Sequence, residues 1–270
     1  MRSSNPVFSS LTKNSRGQAQ AYTQAGYGQA ESFNQYGAVP GQPLAPTSRA
    51  MTHDDVVTKT GITLGVIILG AIVTFFLGTQ SPALANILMF VGMIGGLITV
   101  MVASFGRKYG SAAVTLIYAA FEGLFVGGIS FFFSGQTSAI IGQAILGTLG
   151  VFLGMLFVYK NGIVKVTPRL TRIISSMIIG VVVLSLGNLV LFMFTGNNPL
   201  TNGGPIAILF SLVCIGLAAM SFLTDFDQAD ALVRAQAPAN MAWGVALGLA
   251  VTLVWLYTEI LRFLSYFQSR

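Results

Sequence analysis

Only eight of the 270 residues are acidic, and four of those, Glu122, Asp225, Asp227 and Glu259, stand in or beside long apolar stretches. Carboxylates in such places can take up and release protons or ligate hard cations such as Ca²⁺ through oxygen. An ionisable side chain inside a membrane span costs roughly 2.5–3.5 kcal/mol on insertion scales, so it is expected to face a cavity or a partner. Glu122 lies about 11 residues into an apolar stretch, near mid-bilayer at about 1.5 Å per residue, with no Lys or Arg close in sequence. It must be protonated, hydrated or paired across helices, for example with Glu259 through a shared proton. The structural alternative is a protonated Glu bonded to a neighbouring helix backbone. Glu259 depends on where the last span begins. A start near Ala246, with Trp243 as an interfacial anchor, puts Glu259 near the middle and Arg262 at the i+3 position for an ion pair. Asp225 and Asp227 close another stretch, where carboxylates oppose the helix macrodipole. They form either a solvated loop edge neutralised by Arg234 and Lys108, or a cation or proton site suited to Ca²⁺.

The elements that must position these acids are read from where charge is missing. Hydrophobic residues make up 54% and charged residues 8% of the chain, against about 25% charged in an average soluble domain. Thr60 to Gly106 is uncharged and broken at Gly78 to Pro82; at about 20 residues per crossing it holds two spans. Tyr109 to Tyr159 contains only Glu122 and breaks at Ser134-Gly135-Gln136, giving two more. Ile173 to Thr224 breaks at Gly196-Asn197-Asn198-Pro199 for another two, and a seventh runs between Arg234 and Phe267. The sequence therefore predicts an all-α integral membrane protein with seven transmembrane helices.

Basic residues orient the bundle, since Lys and Arg near span ends are retained in the cytoplasm. They occupy the N-terminal segment, the second loop (Arg107, Lys108), the fourth (Lys160, Lys165, Arg169, Arg172) and the sixth (Arg234), and are missing from the first, third and fifth. This alternation predicts a cytoplasmic N-terminus and an outward C-terminus. Residues 1–55 are rich in Gln, Ser, Gly, Ala and Tyr without apolar periodicity, and read as a disordered cytoplasmic tail; residues 56–270 form the membrane domain. MRSSNPVFSS lacks the apolar core of a secretory signal, so the tail is expected to stay in the mature protein. Gly123/Gly127, Gly150/Gly154 and Gly244/Gly248 follow the small-xxx-small spacing of close helix contacts.

Several function classes are excluded by residue type. A single Cys214 within an apolar run permits no intrachain disulfide framework or thiolate metal site. One histidine, His53, ahead of the first predicted span, supports neither a Ser-His protease nor a zinc protease motif. No predicted span contains a Lys for a retinal Schiff base, and no phosphate-binding loop is present. The formal net charge of +6 is a topology signal rather than a nucleic-acid footprint. Neither enzymatic activity nor a resident cofactor is expected.

Seven spans, a third helix reading YAAFEGLFVGG, the acids of SFLTDFDQAD at the end of the sixth and LVWLYTEILRF in the seventh are similar to the Bax inhibitor-1 family. The MRSSNPVF start resembles its bacterial, especially actinobacterial, members. The resemblance implies a central seventh helix surrounded by six, and a pH-sensitive calcium leak across the cell membrane. It further implies a proton-sharing pair of acids, one on the sixth helix and one on the seventh. Asp225, with Asp227 as its competitor, matches the first, and Glu259 matches the second. Two departures are that the seventh-helix acid is Glu rather than Asp and that the sixth loop reads as unusually long. The second function class the resemblance implies is a non-transporting regulator that binds a membrane protease or a cell-death partner.

Overall fold

The computed structural model describes residues 49–106, 108–135 and 139–268; the expected disordered tail lies almost wholly outside them. Seven helices are long and apolar enough to cross a membrane: α1 (His53–Gln80), α2 (Pro82–Phe105), α3 (Ala112–Ser134), α4 (Ala139–Lys160), α5 (Pro168–Thr195), α6 (Pro205–Arg234) and α7 (Ala242–Gln268). A one-turn 3₁₀ helix, Ala239–Met241, leads into α7. The lengths follow from the need to satisfy every backbone amide internally where no water is present.

Local signals set the ends. Thr52 caps α1 in a capping box with Asp55, whose carboxylate also accepts from the Arg49 guanidinium at 2.6 and 2.9 Å. Ser81 alone separates α1 from α2: it ends one helix, caps the next, and is followed by Pro82, whose missing N–H is harmless in a first turn. Thr167-Pro168 opens α5 in the same manner, and Gly196, at φ 70°, ends it in the left-handed region that glycine tolerates.

Packing is uneven around the bundle. Most of the α7 span is buried, whereas in α5 only Ile174 is. Helix α7 packs directly on α1, α3, α4 and α6, while α2 backs onto α3 and α1 and α5 onto α6. The seventh helix is therefore central, with four helices as its immediate wall. Its ties are specific: Tyr257 and Ser130 hydroxyls lie 2.8 Å apart, and Thr115 donates to the Trp243 carbonyl at 3.1 Å. Between α4 and α6, Phe152 stands edge-on to Phe222 and Phe226 at 5.3 and 5.7 Å between centroids.

Only one of the three small-xxx-small pairs is a helix contact. A Cβ on Gly123 would stand 3.0 Å from the Gly70 Cα, and one on Gly127 would stand 2.4 Å from the Ala71 carbonyl oxygen, so α1 and α3 touch backbone to backbone. Gly150, Gly154 and Gly248 have nothing within 4 Å of such a Cβ, and Gly244 meets the Tyr109 ring instead of a helix. Sequence spacing cannot tell a small residue that faces a neighbouring backbone from one that faces lipid.

Two expected boundaries move. The sixth span does not stop near Thr224: α6 continues through Arg234, so Asp225, Asp227 and Asp230 are helical and the loop to α7 is short. The membrane unit also begins before residue 56. Met51 N–H donates to the Ala237 carbonyl at 2.8 Å and Ala239 N–H to the Arg49 carbonyl at 2.9 Å, an antiparallel bridge that straps the lead-in of α1 to the α6–α7 connection.

Candidate ion and proton sites around the seventh helix

The acids singled out by sequence occupy three separate places around α7. Asp225, at the start of the extension of α6, accepts a hydrogen bond from the Thr252 hydroxyl of α7 at 2.7 Å. The same hydroxyl lies 3.2 Å from the Gly248 carbonyl, and it carries only one proton. When Asp225 is ionised, the Thr252 proton goes to the carboxylate. When Asp225 holds a proton, it can donate to Thr252, which then donates to Gly248. Both protonation states keep a hydrogen-bonded chain, which a pair of carboxylates achieves only by sharing a proton.

Tyr109, from the α2–α3 connection, covers this acid. Its ring occupies the space where a Cβ on Gly244 would stand, 2.3 Å from the nearest ring carbon, and Gly110 makes the turn behind it at φ 92°. Tyr109, Asp225, Gln228, Val245, Gly248 and Leu249 enclose a cavity of about 10 Å³, room for about one water. This place lies at the end of the bundle that carries Lys59, Lys108, Lys160 and Arg234.

Glu259 is 4% exposed and accepts from the Arg262 guanidinium at 2.8 Å, the i to i+3 pair that the spacing suggests. Ser211 of α6 lies 3.5 Å from its other oxygen. Seven residues separate Glu259 from Thr252, about 10 Å along the helix axis. Asp225 and Glu259 therefore do not form the shared-proton pair that the family resemblance implies; a hydroxyl, Thr252, stands where the partner acid would be. Nor does Asp227 take that place. Residues two apart on a helix do not share a face, and Asp225 is the one that faces α7. For the same reason Asp225 and Asp227 do not make a joint ligand set for Ca²⁺, and among the described residues no cluster of three or more His, Cys, Asp or Glu side chains is placed to hold a metal.

Glu122 projects into a third place, a cavity of about 260 Å³ between α2, α3 and α7 lined by Gly96, Tyr118, Phe125, Trp255 and Thr258 among others. Its Oε2 rests against Gly96, where a Cβ would stand 2.8 Å away. Glu259 is not among the lining residues, and its two oxygens meet Arg262 and Ser211 rather than Glu122. Arg234 and Lys108 do not neutralise Asp225 or Asp227: Arg234 lies 3.9 Å from Asp230, and the described residues hold no ion pair to either acid.

Sequence reasoning missed Thr252, Tyr109 and a cluster at Asp230. Asp230, beyond the expected end of the sixth span, accepts from the Tyr159 hydroxyl at 2.8 Å and pairs with His53 at 2.8 Å, joining α4, α6 and the start of α1. Thr252 was detectable as the polar residue two turns before Glu259, on the same face of the helix. Tyr109 and Asp230 carried no such signal.

No curated protein matches the chain. A model of the family described as Bax inhibitor 1 like matches residues 5–269, nearly the whole length. With seven apolar helices packed about a buried seventh, and with that match, this multi-pass membrane protein belongs to the Bax inhibitor 1 like family.

Proposed function

We propose that the protein is a proton-responsive cation leak, with calcium as the carried ion, and that Asp225 is its titrating group. The observation that carries this reading is the hydrogen bond from Thr252 of the central helix to Asp225 beneath the Tyr109 ring. An ionised Asp225 offers hard oxygen ligands at one mouth of the bundle; a protonated one offers none. Both states satisfy Thr252, so protonation changes charge without leaving a buried polar group unpaired. Glu259 has a different part in this reading. Its charge is already matched by Arg262, so it holds α7 rather than senses pH. The basic bias of one end supports a cytoplasmic N-terminus and an outward C-terminus in the cell membrane, which puts Asp225 at the cytoplasmic mouth.

The test is calcium flux into proteoliposomes loaded with a calcium dye, measured from pH 5 to 8. Wild type should show a pH-dependent flux and Asp225→Asn a flat one. Glu259→Gln should keep the wild-type profile. A profile unchanged by Asp225→Asn would refute the assignment, and no flux at any pH from protein of verified fold would refute the leak itself.

A further inference from the structure

The cavity around Glu122 is unlike the other two places. It is the larger by far, about 260 Å³, close to the lower end of the roughly 300–1,000 Å³ range of small-molecule sites. It opens between α2 and α7, which are not packed on each other, and the residues at that edge are only partly covered. Its walls are mainly aliphatic and aromatic, with three polar side chains: Glu122, Tyr118 and Thr258. No basic residue lines it.

A divalent ion fits poorly there. Ca²⁺ takes 6–8 oxygens, and these walls provide one carboxylate and two hydroxyls. What the set does match is a single positive charge on an apolar body. One carboxylate supplies the counter-charge, the faces of Tyr118, Phe125 and Trp255 attract a cation, and the aliphatic walls take up hydrocarbon. An amine also gives Glu122 a counter-charge, since one proton serves both groups on either side of the hydrogen bond. A lipid headgroup carries similar chemistry, but depth argues against it. Ten residues separate Glu122 from the start of α3 and twelve from its end, about 15 and 18 Å along the axis. A headgroup anchored at either surface does not reach that far.

We propose that this cavity is a binding site for a lipophilic amine, entered sideways from the bilayer between α2 and α7, with Glu122 as the ammonium partner. The assignment does not depend on whether the protein carries ions.

Trp255 lines the cavity and the chain has two tryptophans, so Trp243→Phe leaves a reporter in the wall. Bromine quenches indole fluorescence on contact. In phosphatidylcholine nanodiscs, 8-bromooctylamine should quench Trp255 saturably, and 8-bromooctanol only in proportion to its concentration in the lipid. Glu122→Gln should weaken the amine at least about tenfold, the loss of a charge-assisted hydrogen bond, and leave the alcohol unchanged. Val251→Phe, which fills the cavity from α7, should abolish saturation and decides the matter should Glu122→Gln not fold. Amine and alcohol behaving alike, an amine affinity unchanged by Glu122→Gln, or saturation that survives Val251→Phe, would overturn the proposal. Competition by added phosphatidylethanolamine would overturn the assignment to a free amine in favour of a headgroup. Ion flux is not read, so the outcome stands apart from the leak.

Discussion

The glycine pairs offer a test in which identical sequence motifs should respond with opposite signs. Replacing Gly127 by Ala puts a methyl 2.4 Å from the Ala71 carbonyl oxygen and 2.7 Å from the Thr74 Cβ; at Gly123 the neighbours are the Ile67 carbonyl at 2.9 Å and the Gly70 Cα at 3.0 Å. Carbon at ease sits about 3.5–4.0 Å from its neighbours, so α1 and α3 must separate by close to 1 Å along that seam. A gap of about that size forfeits a quarter to a half of each dispersion contact, and backbone rather than a flexible side chain has to give way. Overpacking of this kind costs about 1–3 kcal/mol. At Gly150 and Gly154 the added methyl meets nothing within 4 Å, leaving only the gain in helix propensity, up to about 1 kcal/mol. That gain is common to all four positions, so the two groups should differ by the overpacking cost, about 1–3 kcal/mol. Reversible unfolding in mixed micelles, followed by far-UV circular dichroism against the mole fraction of denaturing detergent, measures it. Equal effects for Gly127→Ala and Gly154→Ala would refute the reasoning and place α1 and α3 further apart than described.

Thr252→Val should alter the pH profile of calcium flux in the wild-type background and leave it untouched in Asp225→Asn; additive effects in that cycle would break the proposed coupling. Tyr109→Ala should uncover the small cavity beside Asp225: with Cys214→Ser as background, Val245→Cys, buried in the intact protein, should react with a water-soluble thiol reagent only once the ring is gone. Arg262→Ala leaves Glu259, 4% exposed, without its cation, and should lower stability by up to about 3 kcal/mol; replacing both partners by Gln should restore most of it, as judged by the same detergent titration. His53→Ala should change stability by less than about 1 kcal/mol, because the imidazole is largely exposed despite its contact with Asp230.

The number of helices and most of their ends were legible in the sequence because both follow from local, one-dimensional causes. Missing charge over about 20 residues means a span whatever surrounds it, and Ser81-Pro82, Thr167-Pro168 and Gly196 act on their own backbone. The Glu259–Arg262 pair was legible for the same reason, since i to i+3 spacing is a property of one helix. The end of α6 was not. Asp225 and Asp227 look like a terminus to any reading by hydropathy, yet the helix runs on to Arg234 because Asp230 finds Tyr159 and His53 on other elements.

What the sequence determined by itself is that the chain crosses the membrane seven times and carries very few groups able to titrate there. Tertiary structure decided what each of those groups meets. A helix fixes the depth of a side chain through its rise per residue but leaves its neighbours to the rotation and tilt of other helices. Hence Asp225 meets Thr252 rather than Glu259, and Glu122 meets an open cavity rather than another acid.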